Sequence, residues 1–148
     1  MMTMDDIDIL IAEDNADDVK LTLHALKRNN LRNKIHVVKN GAETLEFVFC
    51  TGEYSERSIT APPKVILLDL KMPLVDGLDV LRAIRADDRT RMIPVVMMTS
   101  SREECDRVQS YQLGVNSFIV KPMDFEQFTE AMRLVGMYWL LLNQPPKG

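Results

Sequence analysis

The stretch VILLDLKMP, residues 65–73, is the strongest indication of the fold class. Its first four residues, Val65 to Leu68, are all apolar, and the run then meets the carboxylate of Asp69. A continuous apolar run of this length is typical of a strand buried on both faces, as in a parallel sheet covered by helices on each side. The stretch therefore predicts a central parallel strand that ends in an acid, and that acid requires an explanation.

Similar runs rich in Ile, Val and Leu recur along the chain. They give five predicted strands, at residues 7–12, 34–38, 64–69, 93–99 and 117–121. Segments with helical spacing of apolar residues lie between them, for example Leu78, Leu81 and Ile84. Strands that alternate with helices predict an α/β fold built on one parallel sheet. A long polar loop, residues 51–63, separates the second helix from the third strand.

The composition fits a single domain over residues 1–148 and argues against several functions. The net charge is −4, without a basic cluster, so nucleic-acid binding is not expected. The apolar run MYWLLL, residues 137–142, is far shorter than the ~20 residues that span a bilayer, and the N-terminus lacks an export signal. We therefore expect a cytoplasmic protein without membrane contact. Cys50 and Cys105 match no metal-binding spacing, and no phosphate-cradling glycine motif for a nucleotide cofactor occurs.

Polar side chains stand where four of the predicted strands end. Glu13 and Asp14 follow the first strand, Asp69 ends the third, Thr99 ends the fourth and Lys121 ends the fifth. The carboxyl ends of parallel strands meet at one edge of a sheet, where open α/β sheets bind their ligands. The sequence therefore predicts that these side chains form one site.

The three carboxylates of this predicted site indicate a metal ion. Carboxylates held close together repel one another unless a cation joins them, and an all-oxygen ligand set favours Mg²⁺. We expect Asp14 and Asp69 to bind the ion directly and Glu13 to bind it through water. The backbone carbonyl of Lys71 would complete the protein's share of the ligands.

The same site suits phosphoryl transfer. A carboxylate can accept a phosphoryl group and form an aspartyl phosphate. Lys121 would then pair with one phosphoryl oxygen and the Thr99 hydroxyl would donate to another. The hypothesis is that Asp69 ends its strand because it is the phosphoryl acceptor.

The segments LLDLKMPLVDG (67–77), MMTSS (97–101) and FIVKP (118–122), together with Glu13 and Asp14, resemble the receiver domain of bacterial two-component response regulators. The resemblance covers about residues 6–136, followed by a C-terminal helix that we expect to continue to about residue 142. It implies a flavodoxin-like, doubly wound, five-stranded parallel sheet in the order 2-1-3-4-5, with helices on both faces.

The resemblance also implies roles for single residues. Asp69 would be the phosphoacceptor, Thr99 the switch hydroxyl, Phe118 an aromatic rotamer switch, and the bond between Lys121 and Pro122 a cis peptide. The protein would be a stand-alone regulator that takes its phosphoryl group from a histidine kinase and signals to a downstream protein by contact. Its own chemistry would be limited to self-catalysed phosphoryl uptake and autodephosphorylation, with Lys71 and Ser101 flanking the attacking water, so it would not be an enzyme in the usual sense. Residues 81–101, residues 111–128 and the loop at 51–63 further resemble small regulators that partner phytochrome-type histidine kinases.

Other interpretations of the same residues remain open. Asp14 could be the N-cap of a helix that begins near Ala16, and each other site residue taken alone could be an ordinary structural residue. A Mg²⁺-dependent phosphohydrolase would need a second carboxylate two residues after Asp69, where Lys71 stands. A phosphorylation-independent binding module would be expected to have lost one of the site residues.

The last helix carries two apolar stripes where a surface helix needs one. The first stripe is Phe125, Phe128, Met132, Val135, Trp139 and Leu142, and the second is Leu134, Tyr138 and Leu141. The second stripe predicts a homodimer through the fourth helix, the fifth strand and the fifth helix. The alternative is that the loop at 51–63 or the C-terminal tail covers this patch.

Overall fold

The computed structural model describes residues 7–29, 34–121 and 124–136, and in these ranges it contains one parallel sheet. Five strands lie in the order β2-β1-β3-β4-β5, which confirms the predicted doubly wound fold and strand order. The elements in chain order are β1 (Ile9–Ala12), α1 (Ala16–Arg28), β2 (Ile35–Val38), α2 (Gly41–Phe49), β3 (Val65–Asp69), α3 (Gly77–Ala86), β4 (Val95–Thr99), α4 (Arg102–Gln109), β5 (Ser117–Val120) and α5 (Phe125–Val135).

Strand β3 lies at the centre of the sheet, between β1 and β4. All five of its residues are buried, as are the residues of β1 and β4. Alternate side chains of these strands enter two separate apolar layers, because successive side chains of a strand point to opposite faces. Helices α2, α3 and α4 cover one face, and α1 and α5 cover the other. Burial on both faces is why the strands are continuously apolar.

The helices begin at polar side chains that follow the strands. Asn15 is the N-cap of α1 and accepts a hydrogen bond from the backbone N–H of Asp18 at 3.0 Å. Asn40 and Asp76 cap α2 and α3 in the same way. Because Asn15 caps α1, the alternative role of Asp14 as the helix cap is wrong, and its carboxylate is left exposed beside the sheet edge.

The loop between α2 and β3 packs against the edge of the sheet formed by β2. The Tyr54 hydroxyl lies 2.8 Å from Nε2 of His36 and donates to the Glu43 carboxylate at 2.9 Å. The Arg57 guanidinium lies 3.9 Å from the centre of the Phe47 ring and donates to the backbone carbonyl of the same residue. Since β2 and β5 are opposite edges of the sheet, this loop does not cover the surface around β5.

Helix α5 buries the first of its two predicted apolar stripes. Phe128, Met132 and Val135 are buried, whereas Leu134 of the second stripe is 55% exposed. Phe125 of the first stripe is half-buried and packs against the same core, and Tyr138, Trp139, Leu141 and Leu142 lie outside the described residues. Over the described ranges, no helix combines the length and the apolar character that crossing a membrane requires.

Candidate functional site

The carboxyl edge of the sheet brings the predicted site residues together. Glu13 follows β1, Asp69 and Thr99 end β3 and β4, and Lys121 follows β5. Parallel pairing aligns these strand ends, with Ala12 opposite Leu68, Asp69 opposite Met98 and Thr99 opposite Val120. Residues that are more than one hundred positions apart in the sequence therefore lie within contact distance.

Three carboxylates form an acidic cluster at this edge. Glu13, Asp14 and Asp69 each offer an oxygen, and these oxygens all lie within 4.8 Å of one another. Glu13 is 1% exposed and Asp69 is 7% exposed, while Asp14 is open to solvent. Burial raises the pKa of Asp69 well above its usual range, and hydrogen bonding and repulsion from Glu13 raise it further. The cluster therefore carries more buried negative charge than the protein itself neutralises, which fits a divalent cation.

The ammonium of Lys121 contacts three carboxylates. Its Nζ lies 2.8 Å from Oε1 of Glu13, 2.9 Å from Oδ2 of Asp18 and 3.6 Å from Oδ2 of Asp69. Burial lowers the pKa of Lys121, but the hydrogen bonds to Glu13 and Asp18 outweigh this and raise the pKa above its ordinary value. Lys121 is therefore held in its charged form and lies near Asp69, but Glu13 and Asp18 are its closer partners.

The backbone around Asp69 is packed without space for additional atoms. A Cβ on Gly77, the first residue of α3, would lie 2.4 Å from the backbone oxygen of Asp69 and 2.8 Å from Cα of Leu70. The Gly77 N–H also donates to the Leu70 carbonyl at 2.7 Å. A hydrogen bond from the backbone of Lys71 stabilises the charged form of the Asp69 carboxyl and so opposes the rise in its pKa. Helix α3 therefore holds the end of β3, and with it the Asp69 carboxylate, in one position.

The hydroxyl of Thr99 is occupied by groups at the start of α4. It donates to the backbone carbonyl of Ser101 at 3.2 Å, and the Cys105 sulfur lies 3.3 Å from the Thr99 hydroxyl oxygen. Because a carbonyl can only accept, the single hydroxyl proton of Thr99 goes to Ser101 and the Cys105 thiol donates to Thr99. Both side chains are buried. The hydroxyl must turn away from these partners before it can donate to a ligand at Asp69.

A second charged pair borders the site on the α4 side. Nζ of Lys71 lies 3.4 Å from Oε2 of Glu104. Oε1 of Glu104 accepts from the backbone N–H of Ser100 at 2.8 Å and from its hydroxyl at 2.6 Å. The Ser100 hydroxyl, and then its N–H and Lys71, lower the pKa of Glu104. This carboxylate thereby connects the loop after β3 to the loop after β4.

Two other residues singled out in the sequence, Phe118 and Pro122, are not part of the cluster of charged side chains described above. Phe118 is half-buried in β5, opposite Met97, and packs against the apolar layer that α2, α3 and α4 cover. It therefore lies on the same side of the sheet as α4, where an aromatic side chain could respond to Thr99. Pro122, and with it the predicted cis peptide, lies outside the described residues.

The sequence reasoning missed three contributors to this site: Asp18, Glu104 and Cys105. Asp18 and Glu104 occupy the first turns of α1 and α4, where an acid is commonly explained by the helix dipole. Cys105 belongs to no sequence motif that would indicate a functional role. A signal for Asp18 is its place in the acidic segment at residues 13–18, which follows directly on the end of the first strand.

Comparison with known proteins identifies the family. The model of the response regulator receiver domain matches residues 9–133. The chain belongs to this family. Receiver domains accept phosphoryl groups rather than turning over a substrate, bind Mg²⁺ or Mn²⁺ at an acidic pocket and interact with histidine kinases. In this receiver domain the acidic cluster of Glu13, Asp14 and Asp69 lies at the carboxyl edge of the sheet.

Three relatives place this receiver domain among regulators that include phytochrome-associated ones. It is 35% identical to the probable methanogenesis regulatory protein FilR2 of Methanothrix harundinacea over 93% of this chain and 86% of that protein. It is 31% identical to response regulator Rcp1 of Synechocystis sp., covering 89% and 88% of the two chains. The structure of the bacteriophytochrome response regulator RtBRR matches at 48% identity and a TM-score of 0.79, over 95% of this chain and 84% of the other. The Mn²⁺-bound form of Rcp1 matches at 30% identity and a TM-score of 0.80, over 94% and 98%.

Proposed function

We propose that this receiver domain accepts a phosphoryl group on Asp69 from a histidine kinase and then switches conformation to signal through protein contacts. One observation carries the proposal: a buried aspartate ends the central strand within 3.6 Å of a lysine ammonium and within an acidic cluster that fits a divalent cation. This combination supplies an acceptor, a cation for the transferred group and a place for a metal in one site. Membership of the receiver family supports the assignment.

The transfer itself requires a nucleophile and charge neutralisation. A carboxylate oxygen of Asp69 attacks the phosphorus of a phosphohistidine, so that a P–O bond forms while the P–N bond breaks. The electron pair of that bond stays on the imidazole of the kinase, which takes a proton from solvent. Lys121 is close enough to pair with a phosphoryl oxygen after a small movement. Dephosphorylation would follow by attack of water on the same phosphorus, beside Lys71 and Ser101.

The acidic cluster would hold Mg²⁺ through Asp14 and Asp69, with Glu13 through water and the Lys71 carbonyl as a further ligand. The all-oxygen donor set suits a hard cation. When bound, the ion would neutralise the cluster and the oxygens of the incoming phosphoryl group. Asp69 would therefore be held as a charged carboxylate, the form that acts as the nucleophile.

Conformational switching would begin at Thr99. In the described state its hydroxyl is bound to Ser101 and Cys105. A phosphoryl oxygen at Asp69 offers a stronger, charged acceptor, so the hydroxyl would exchange its partners. The loop that leads into α4 would then move toward the site, and Phe118 would follow into the space released beside α4. This is a shift between two arrangements driven by a covalent ligand.

We infer that the kinase is of the phytochrome type, because RtBRR, similar over 95% of this chain, is described as a bacteriophytochrome response regulator. A purified phytochrome-type kinase labelled on its histidine should lose its label to this chain faster than to a receiver domain of another class. Equal transfer to both would contradict the assignment.

We also propose the homodimer through α4, β5 and α5, supported by the exposed Leu134. Sedimentation with and without beryllofluoride, a phosphoryl mimic, tests it. Leu134→Glu should give monomers, whereas Met92→Glu, which places the same charge at an exposed apolar residue elsewhere, should leave the dimer intact. A monomer for the unmodified chain under both conditions would overturn this part of the proposal.

Intact mass after incubation with acetyl phosphate tests the acceptor. We expect the unmodified chain to gain one phosphoryl group in Mg²⁺ and none in EDTA, and Asp69→Asn to gain none. Asp88→Asn is the matched control, since the Asp88 side chain is almost fully exposed in the turn after α3. If neither acetyl phosphate nor a histidine kinase phosphorylates the chain and beryllofluoride does not bind, the binding-module interpretation replaces the proposal.

A further inference from the structure

Lys121 has a partner that does not belong to the acidic cluster. Asp18 lies 2.9 Å from its Nζ, closer than Asp69 at 3.6 Å. The oxygens that lie within 4.8 Å of one another come from Glu13, Asp14 and Asp69, and Asp18 is not in this group. A metal ion at the cluster would therefore engage Glu13, the other close partner of Lys121, and leave Asp18 as the carboxylate that still holds the ammonium.

The position of Asp18 is fixed by the start of α1. Its backbone N–H donates to the Asn15 cap, and its carbonyl accepts from the Thr22 hydroxyl at 2.8 Å. Lys121 is less constrained, because a cavity of about 80 Å³ lies beside the ion pair, lined in part by Leu21 and Met98. The ammonium has space to move, whereas the backbone of the carboxylate that holds it does not.

We propose that Asp18 is a positioning residue that restrains Lys121 in the resting protein and thereby limits how readily Asp69 is phosphorylated. This inference rests on the proposed function. A phosphoryl group brings close to two negative charges to the site and must draw Lys121 toward Asp69. Asp18 opposes this step in two ways, since it competes for the ammonium and adds negative charge near the incoming group.

The substitution Asp18→Asn tests the restraint while keeping a side chain of the same shape. We measure the initial rate of phosphorylation by acetyl phosphate at saturating Mg²⁺, so that a change in metal affinity does not affect the result. The expected rate is about three- to fivefold above that of the unmodified chain, which is the upper part of the range for the loss of one ion pair, since Lys121 and Asp18 are both only partly exposed. Asp18→Glu keeps the charge and should stay within about twofold of the unmodified chain.

Asp17→Asn is the matched control. Asp17 is the neighbouring acid in the same first turn of α1 and is exposed, so its loss changes the net charge and the helix dipole equally. Its rate should equal that of the unmodified chain. Equal rates for the Asp17→Asn and Asp18→Asn variants would overturn the proposal, as would a slower rate for Asp18→Asn, because Asp18 would then be presenting Lys121 rather than restraining it.

A second measurement separates this inference from the proposed function. The ammonium protons of Lys121 in ¹⁵N-labelled protein should exchange with water faster in Asp18→Asn than in Asp17→Asn, with no phosphoryl donor present. If the unmodified chain takes up no phosphoryl group, the proposed function fails, and the exchange rates still decide whether Asp18 holds Lys121. Unchanged exchange in Asp18→Asn would overturn the restraint by itself.

Discussion

Replacing the Asp69 carboxylate with an amide should stabilise the protein when no divalent cation is present. The carboxylate oxygens of Glu13, Asp14 and Asp69 lie at most 4.8 Å from one another. At this distance and an effective dielectric of about 20, two carboxylates repel by about 3.5 kcal/mol. At the same dielectric, attraction to Lys121 at 3.6 Å stabilises the charged Asp69 carboxylate by about 4.5 kcal/mol. The repulsions and the attraction nearly balance, since Asp14 is exposed and its repulsion is screened by solvent.

What remains is the desolvation of the Asp69 carboxylate, the main cause of its raised pKa. We therefore expect Asp69→Asn to raise the free energy of unfolding by about 1–3 kcal/mol in EDTA near pH 8, because Lys121 keeps Glu13 and Asp18 as partners and the change falls within the range of about 1–4 kcal/mol found when buried ion pairs are replaced by hydrophobic residues of similar volume. Mg²⁺ should reduce the stability advantage of Asp69→Asn. At one hundred times its dissociation constant it would stabilise the unmodified chain by about 2.7 kcal/mol, and the variant, which lacks a direct ligand, would gain less.

The pH dependence follows from the same raised pKa. Because folding raises the pKa of Asp69, its proton stabilises the fold fully below the ordinary pKa of about 4, and this contribution is lost as pH rises through the folded value. In EDTA the advantage of Asp69→Asn should therefore shrink as pH falls. Urea denaturation of both proteins at several pH values, with and without Mg²⁺, measures it. Asp88→Asn should change stability by less than about 0.5 kcal/mol. An Asp69→Asn variant that is no more stable than the unmodified chain in EDTA would refute the reasoning.

Three further perturbations probe the surroundings of the site. Gly77→Ala should lower the free energy of unfolding in urea by about 1–3 kcal/mol, because the added Cβ would meet the backbone of Asp69, and it should also weaken beryllofluoride binding. Unchanged beryllofluoride binding would show that the position of the Asp69 carboxylate does not depend on this packing. Cys105→Ala should strengthen beryllofluoride binding by about two- to fivefold, because Thr99 loses a resting-state partner. Cys105→Ser keeps a donor at this position and should bind beryllofluoride as the unmodified chain does, so equal affinities for the two variants would contradict the prediction. Burial lowers the pKa of His36, so the folded protein favours the neutral imidazole and the thermal midpoint should fall as pH drops below about 6.5. The thermal midpoint of His36→Gln should fall less steeply with pH, and the same pH dependence for both proteins would contradict this explanation.

The framework of the site could be predicted because it depends on strand ends. The apolar runs placed each strand within two residues, and parallel pairing then required Glu13, Asp69, Thr99 and Lys121 to meet. The helix starts were less certain. Asp14 and Asn15 are both good caps, and only the folded backbone decides that Asn15 accepts from Asp18.

The remaining features depend on contacts between elements that sequence periodicity does not describe. Asp18 contacts Lys121, which follows β5, and Cys105 contacts Thr99, which ends β4. Both contacts depend on how α1 and α4 pack on the sheet. The loop at residues 51–63 looked irregular and polar, yet it is anchored. Tyr54 and Arg57 fix it to the β2 edge through an aromatic cluster and a guanidinium bonded to backbone carbonyls.

The ion pair between Glu13 and Lys121 joins residues 108 positions apart and so has a consequence for synthesis on the ribosome. While β5 is still inside the exit tunnel, a nascent chain can already present Asp69 and its acidic neighbours, but without the ammonium that would neutralise a transferred group. Such a chain would be a poor phosphoryl acceptor. Chains interrupted before β5 would likewise not withdraw phosphoryl groups from the kinase, so competence to receive the signal would arrive together with completion of the sheet.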